Sequence, residues 1–179
     1  NSDVSCHYLI SRSGLIFNLL CPSLKAWHAG ISQWKNVKNL NDHSIGIELE
    51  NEGHEFEYKN FSDHQYSSLK KLINFLNKNF QIKNHNIIFH SDISPNRKKD
   101  PGEKFLIYKL GINRFKKIFP TKKNYPIKDL LKIYGFSNLY IKTHKSLCII
   151  AVKRSLNYEI INDKVDYKFK YDFYNLLFK

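Results

Sequence analysis

The order of apolar and polar residues predicts short strands in the first part of the chain. Residues 4–10 and 15–20 are apolar runs joined by turn-forming residues, a pattern typical of a β-hairpin. Residues 44–51 alternate between polar and apolar side chains, which predicts a half-buried strand with Glu48 and Glu50 on the same face. We therefore expect the first fifty residues to contribute a sheet.

Helical periodicity follows these strands. Ser62 and Gln65 have the spacing of a capping box, and the apolar residues after them recur at helical intervals as far as Phe80. This pattern predicts a helix over residues 63–80. The apolar run 87–89 predicts a further strand, so that helix and strand alternate. The predicted fold class is α/β, with a mixed β-sheet flanked by helices.

After residue 102 the pattern favours helices alone. We predict a helix that ends before Pro120, then a linker and three short helices; the four ranges are 105–119, 127–134, 146–155 and 167–177. The chain is therefore expected to form two domains. Residues 1–119 would form the α/β domain, and residues 120–179 a small helical domain.

Composition narrows the range of partners. Of the 179 residues, 42% are hydrophobic and 15% are aromatic, as in a globular protein, and no apolar run is long enough to span a bilayer. The net charge of +13 would suit an anionic partner, but the lysines are dispersed, so no nucleic-acid partner is expected. Cys6, Cys21 and Cys148 lack the spacing of a disulfide framework or a zinc knuckle. They are expected to be free thiols, with one disulfide pair as the alternative.

Candidate chemistry is concentrated in residues 90–102, which read H-S-D-I-S-P-N-R-K-K-D-P-G. His90 and Asp100 offer a nitrogen and an oxygen donor that suit zinc. One of the three cations between them could stabilise developing negative charge. Taken alone, a basic loop with an isolated histidine is more often a solvated surface loop.

Two other stretches carry candidate residues. On the predicted third strand, Glu48 or Glu50 could be a general base that faces a cleft, but an exposed sheet face explains glutamates there equally well. Trp27 and His28 lie in the sequence A-W-H-A-G, which suits a loop that lines a groove. A core tryptophan beside a surface histidine is the alternative.

Four stretches occur in a distinctive order along the chain. They are V-S-C-H-Y-L-I, A-W-H-A-G, S-I-G-I-E-L-E-N and the stretch 90–102. Together they resemble the bacterial zinc-dependent N-acetylmuramoyl-L-alanine amidases, above all the type that acts on anhydro-muropeptides. These enzymes are related to phage lysozyme-amidases and peptidoglycan recognition proteins. The resemblance implies the same fold and hydrolysis of the amide between N-acetylmuramic or anhydromuramic acid and L-alanine. The helical tail resembles a small peptidoglycan-binding module.

The resemblance also implies roles for individual residues. By position, His90 and Asp100 correspond to zinc ligands, and Glu48 corresponds to the base that activates the attacking water. Lys98 corresponds to the residue that stabilises the tetrahedral oxyanion. Trp27 and His28 would then line the substrate groove.

One expected zinc ligand has no counterpart in this sequence. The family pattern places a histidine on a strand upstream of Val4, and His7 corresponds to a position that is not a ligand. We therefore expect this sequence to lack the first zinc ligand and its strand, and a catalytically impaired remnant that binds peptidoglycan fragments is the alternative function. A monomer is expected. The bacterial cell envelope is favoured as the location, with the cytoplasm as the alternative.

Overall fold

The computed structural model describes residues 4–115, 118–121 and 124–178. These residues form two compact units, and neither unit is one continuous stretch of chain. The first contains the described residues of 1–32, 38–83 and 104–112, and the second contains those of 33–37, 84–103 and 113–179. The predicted boundary after residue 119 lies inside the second unit, and the division into two domains stays a prediction.

The strands form two sheets. In the described part of the chain they are β1 (Tyr8–Ile10), β2 (Ile16–Asn18), β3 (Gln33–Trp34), β4 (Val37–Lys38) and β5 (Ile47–Leu49). β1 is the central strand of a mixed sheet, antiparallel to β2 and parallel to β5, whereas β3 pairs with β4. The predicted hairpin and third strand are confirmed, although each strand is shorter than the stretch of sequence that predicted it.

Six α-helices are found among the described residues. They are α1 (Asp63–Phe80), α2 (His90–Ile93), α3 (Ile127–Tyr134), α4 (Asn138–Thr143), α5 (Lys145–Ser155) and α6 (Tyr167–Phe178). Short 3-10 helices cover Leu40–Asp42, Asn84–Asn86 and Ile107–Leu110. α1 begins where predicted, because Ser62 Oγ accepts a hydrogen bond from the Gln65 N–H and the Gln65 side chain accepts one from the Ser62 N–H.

The strand register of the first unit places Glu48 on one face of the mixed sheet. Tyr8 and Ile10 are buried, and α1 packs against their strand. Side chains alternate along a strand, so Leu9 points away from this buried side. Leu9 is paired with Phe17 on β2 and with Glu48 on β5. The three side chains form a row across the face that α1 does not cover.

The second unit has an aromatic core. Tyr134, Phe136, Phe169 and Phe173 are all fully buried, and the Tyr134 ring lies 5.3 Å from Phe136 and 5.7 Å from Phe173, centroid to centroid. Trp34 joins this core with its ring 5.4 Å from Tyr134. Helices α3 and α6 therefore share one hydrophobic centre with the β3 strand.

The predictions of a strand over residues 87–89 and of a helix over residues 105–119 are wrong. Residues 87–89 do not pair in a sheet, because their polar backbone groups have other partners: the Ile87 carbonyl accepts from Arg114 at 2.8 Å and the Phe89 N–H donates to Asp92 at 2.8 Å. The helix predicted over 105–119 is reduced to the 3-10 helix Ile107–Leu110, which ends at Gly111 with φ of 64°. Residues 116 and 117 of that range lie outside the described residues.

The helices after residue 120 agree with the prediction. The helix predicted over 127–134 has those bounds, and the two predicted over 146–155 and 167–177 each differ by one residue. α4 was not predicted. Its six residues are too few for an amphipathic pattern to be recognised.

Candidate active site

Residues 90–102, which we call the His90 loop, close on themselves. His90 opens α2, and its Nδ1 lies 3.0 Å from Oδ2 of Asp100, ten positions later in the sequence. The N–H of Ser91 donates to the carbonyl oxygen of Asp100 at 3.0 Å. Two predicted ligands of one metal ion are thus held at contact distance by side-chain and backbone hydrogen bonds.

The spacing of His90 and Asp100 fits one zinc ion. Two donors at about 2.0–2.1 Å from a tetrahedral zinc lie roughly 3.3 Å from each other, which is close to the 3.0 Å between His90 Nδ1 and Asp100 Oδ2. A catalytic zinc normally has three protein ligands. Among the described residues no group of three or more His, Cys, Asp and Glu side chains is placed to hold a metal. The loop therefore supplies two ligands of a suitable kind.

Lys98 contributes to the electrostatics of the loop. Burial by itself would raise the pKa of Asp100, but the hydrogen bond and charge of His90, together with the charge of Lys98, lower it. The Lys98 N–H donates to the Ser94 carbonyl at 2.9 Å, which fixes the backbone beneath its side chain. The cation predicted to stabilise an oxyanion thus lies near enough to Asp100 to affect the pKa of its carboxyl group.

The structure separates the two glutamates of the I-E-L-E segment. Glu50 is used for structure: its Oε2 accepts the N–H of Arg12 at 2.7 Å, and its carbonyl accepts the Gln65 side-chain amide at 2.9 Å. Glu48 is exposed on the open sheet face. Partial burial of Cys6, and after it the charge of Glu48, raises the pKa of the Cys6 thiol. Glu48 is therefore the better candidate for a general base.

Trp27 and His28 are neighbours in sequence but lie in different environments. Trp27 is 55% exposed, and Nζ of Lys25 lies 4.1 Å from its ring centroid, within the range of a cation–π contact. His28 is packed into the loop, where its Nε2 lies 3.0 Å from Ser44 Oγ. The Ser44 hydroxyl donates to the Leu40 carbonyl, so His28 is the donor in this pair. A role for both in substrate binding stays a prediction, and Trp27 is the more accessible of the two.

His7 is a structural residue. It is fully buried, and its Nδ1 accepts the N–H of Gly46 at 3.0 Å. Its Nε2 must then carry the proton and donate to the Leu24 carbonyl at 2.9 Å. With both ring nitrogens occupied, His7 is not available as a metal ligand, in agreement with the expectation from the sequence.

A buried cluster behind the His90 loop was missed at the sequence level. Asp92, two residues after His90, is fully buried and accepts hydrogen bonds from Arg114 and Tyr134. These partners are 22 and 42 positions away in the sequence. The one local signal was a carboxylate three residues after the end of an apolar run, and nothing in the sequence indicated its partners.

Comparison with known families assigns the region that contains the predicted site residues to one family. Residues 1–103, more than half of the chain, match the family described as N-acetylmuramoyl-L-alanine amidase. The chain belongs to this amidase family. Amidases of this family are generally zinc-dependent. All six predicted site residues and Asp92 lie within the matched region, whereas Arg114 and Tyr134 lie beyond it.

Individual amidases are similar over the same region. The chain is 43% identical over 103 residues to the 1,6-anhydro-N-acetylmuramyl-L-alanine amidase AmpD of Haemophilus influenzae. This alignment covers 57% of this chain and 54% of AmpD. It is 38% identical over 117 residues to the N-acetylmuramoyl-L-alanine amidase AmiD of Escherichia coli, covering 59% of this chain and 42% of AmiD. The chain thus spans about half the length of the curated amidases that it matches.

A solved amidase structure extends the likeness to the helical tail. The complex of E. coli AmiD with the substrate anhydro-N-acetylmuramic acid-L-Ala-D-γ-Glu-L-Lys superposes with a TM-score of 0.77 at 27% identity, and covers 98% of this chain and 80% of AmiD. The predicted fold class is therefore confirmed. Within the described residues, no helix of this amidase-family chain is long and apolar enough to cross a membrane.

Proposed function

We propose that this chain is a zinc-dependent amidase that hydrolyses the bond between N-acetylmuramic or anhydromuramic acid and L-alanine in muropeptides or peptidoglycan. The observation that carries the proposal is the convergence of His90 and Asp100 at 3.0 Å, with Lys98 beside them. Similarity to AmpD, whose name specifies a 1,6-anhydro-muramyl substrate, and to AmiD in complex with an anhydro-muropeptide supports this substrate class.

Each residue would have a distinct role in the reaction. His90 and Asp100 would hold the zinc ion, which when bound supplies Lewis-acid polarisation of the amide carbonyl. Lys98 would oppose the negative charge that develops on the carbonyl oxygen in the transition state. Glu48 would accept a proton from the attacking water and return it to the leaving amine of L-alanine. The products are a free muramyl carboxylate and a peptide with a new amino terminus.

Glu48 gives the sharpest test, because Glu50 provides a matched control on the same face two residues later. In zinc-containing buffer, Glu48→Gln is expected to lower kcat for release of the peptide from an anhydro-muropeptide by about 10²–10⁴-fold, the usual contribution of a general base. Glu50→Gln keeps an oxygen that can accept the Arg12 N–H, so kcat should not change. Activity is measured by chromatography of the released peptide.

The assay is run on the chain of 179 residues and, where the gene encodes further in-frame residues before Asn1, on that extended form. The proposal fails if the extended form is inert, or if Glu48→Gln has no effect on turnover. Retention on insoluble peptidoglycan at physiological salt without turnover would favour the second candidate, a binding protein. That candidate draws on the exposed Trp27 ring as a contact surface.

We also propose that the protein acts in the bacterial cell envelope, where peptidoglycan, one of its two proposed substrates, lies. Cell fractionation followed by detection of the protein tests this location. Recovery in the cytoplasm alone would contradict it and would favour small muropeptides as the substrate.

A further inference from the structure

Asp92 is the most deeply embedded carboxylate near the candidate site. It is fully buried, and its two oxygens accept hydrogen bonds from three sides. Oδ2 accepts from the Phe89 N–H at 2.8 Å and from the Arg114 guanidinium, and Oδ1 accepts from the Tyr134 hydroxyl at 2.6 Å. A buried charge is retained in a folded protein only with such compensation.

These contacts fix the residue that directly precedes His90. The Phe89 N–H donates to the Asp92 carboxylate, while the Phe89 carbonyl accepts the Asp92 N–H at 3.0 Å. The Arg114 guanidinium lies 3.5 Å from the centroid of the Phe89 ring. Asp92 therefore holds the backbone of Phe89, and Arg114 holds its side chain. Together they fix the backbone conformation immediately before His90.

The other partners of this cluster lie on the C-terminal helices. Tyr134 is the last residue of α3, and Arg114 also donates to Oγ of Ser155, the last residue of α5, at 3.1 Å. Burial, and after it the charge of Asp92, raises the pKa of Tyr134 well above its ordinary value, so its hydroxyl stays protonated as a donor. Two helices beyond the matched amidase region thus hold the base of the His90 loop.

We propose that Asp92 is the positioning residue of His90, and that Tyr134 and Arg114 couple its orientation to helices α3 and α5. This inference rests on the proposed role of His90 as a metal ligand. In zinc sites, residues that orient a ligand from behind affect metal affinity by about 10–100-fold although they never touch the ion. The helical tail accordingly has a role in the active site as a scaffold.

The test compares two tyrosine–aspartate–cation clusters of the second unit. Tyr134→Phe removes only the hydroxyl that donates to Asp92 and keeps the ring in the aromatic core, and Asp92→Asn keeps the shape of the side chain. In the control cluster, Asp172 on α6 accepts from the Tyr158 hydroxyl, which precedes that helix, at 2.6 Å and from Lys168 on the same helix at 2.8 Å. Tyr158→Phe and Asp172→Asn make the same chemical changes in the control cluster.

Three quantities are measured on the full chain: Co²⁺ affinity by titration, amide hydrogen exchange of Ser91, Asp92 and Ser94, and global stability in urea. In Tyr134→Phe, Co²⁺ affinity is expected to fall about tenfold, and the three amides should exchange faster than in the wild type. Asp92→Asn should have a larger effect of the same kind. The control variants are expected to lose stability while their Co²⁺ affinity and loop exchange stay at the wild-type level.

The outcomes separate this inference from the proposed function. If the wild-type chain neither binds Co²⁺ nor cleaves muropeptides in its extended form, the proposed function fails, and the exchange data alone decide whether the cluster positions the loop. Positioning is overturned if Tyr134→Phe and Asp92→Asn alter loop exchange and Co²⁺ affinity no more than the two control variants do.

Discussion

Gly46 shows how closely single residues are packed around the sheet. Its carbonyl accepts the N–H groups of His7 and Tyr8 at 3.1 and 3.2 Å, and its own N–H donates to the His7 ring. A Cβ atom at this position would lie 2.4 Å from Cγ of His28. The predicted groove histidine therefore lies against a backbone position where only glycine fits.

Gly46→Ala is expected to destabilise the chain by about 1–3 kcal/mol, the usual cost of inserting a methyl group where there is no space. The free energy of unfolding in urea measures this. In the background of His28→Ala the same substitution should cost much less, because the ring that the methyl group meets is gone. Equal costs in both backgrounds would contradict the crowding seen here.

At the scale of residues, the sequence identified the candidate site residues, but it did not distinguish them from similar residues with a structural role. Glu48 and Glu50 are equivalent in an alternating strand, and the bond from the Arg12 N–H to Glu50 is a contact that the alternation does not reveal. His7 and His90 are likewise each a histidine beside an apolar run. The two ring partners of His7 are Gly46 and Leu24, which lie 39 and 17 positions later in the chain.

At the scale of elements, α1 is defined by its own amino terminus. Ser62 Oγ accepts the Gln65 N–H at 3.1 Å, and the hydroxyl also donates to the carbonyl of Arg12 at 2.6 Å. One side chain therefore caps the helix and ties it to the turn of the β1–β2 hairpin.

Ser62→Ala is expected to lower the free energy of unfolding by about 1–2 kcal/mol, since it removes both a helix cap and a tertiary hydrogen bond. Ser67→Ala, at an exposed position of the same helix, is the control and should have little effect. Thermal and urea denaturation followed by circular dichroism measure both. A Ser62→Ala chain as stable as the control would rule out this role of the cap.

Elements were predictable where their signals are local. The capping box of α1 and Gly135 at the end of α3 gave correct boundaries, because each signal lies within four residues of the end that it marks. Residues 87–89 misled the prediction because the Ile87 carbonyl bonds to Arg114, 27 positions later. These residues are half-buried, and Ile87 and Phe89 contact that arginine instead of pairing in a sheet.

At the scale of the whole molecule, the predicted domains and the observed units divide the chain differently. The His90 loop belongs to the same compact unit as α3, α5 and α6. The sequence indicated a separate helical appendage because the pattern after residue 102 favours helices alone and residues 121–126 read as a linker. The amino-acid sequence does not reveal contacts between distant residues, such as the hydrogen bond from Tyr134 to Asp92.

Deletion of residues 120–179 tests whether the helical segment is an independent domain or part of the same compact unit as the His90 loop. If the helical segment is an independent domain, the remaining chain should keep the His90 loop folded. The structure predicts the opposite, because Tyr134, Ser155 and the buried phenylalanines of α6 are lost with the segment. Limited proteolysis with mass spectrometry should detect new cleavage between residues 84 and 103, while α1 stays protected. Unchanged protection of both regions would support the independent domain.

The link between Asp92 and Tyr134 also has a consequence during biosynthesis. A nascent chain leaves the ribosome from its amino terminus, so His90 and Asp92 emerge well before their partners on α3 and α5. The Asp92 carboxylate stays hydrated until Tyr134 arrives, and Arg114 gains its Ser155 contact only when most of the chain has been translated. Premature termination before α5 would therefore release a polypeptide in which Arg114 has lost its Ser155 partner behind the His90 loop.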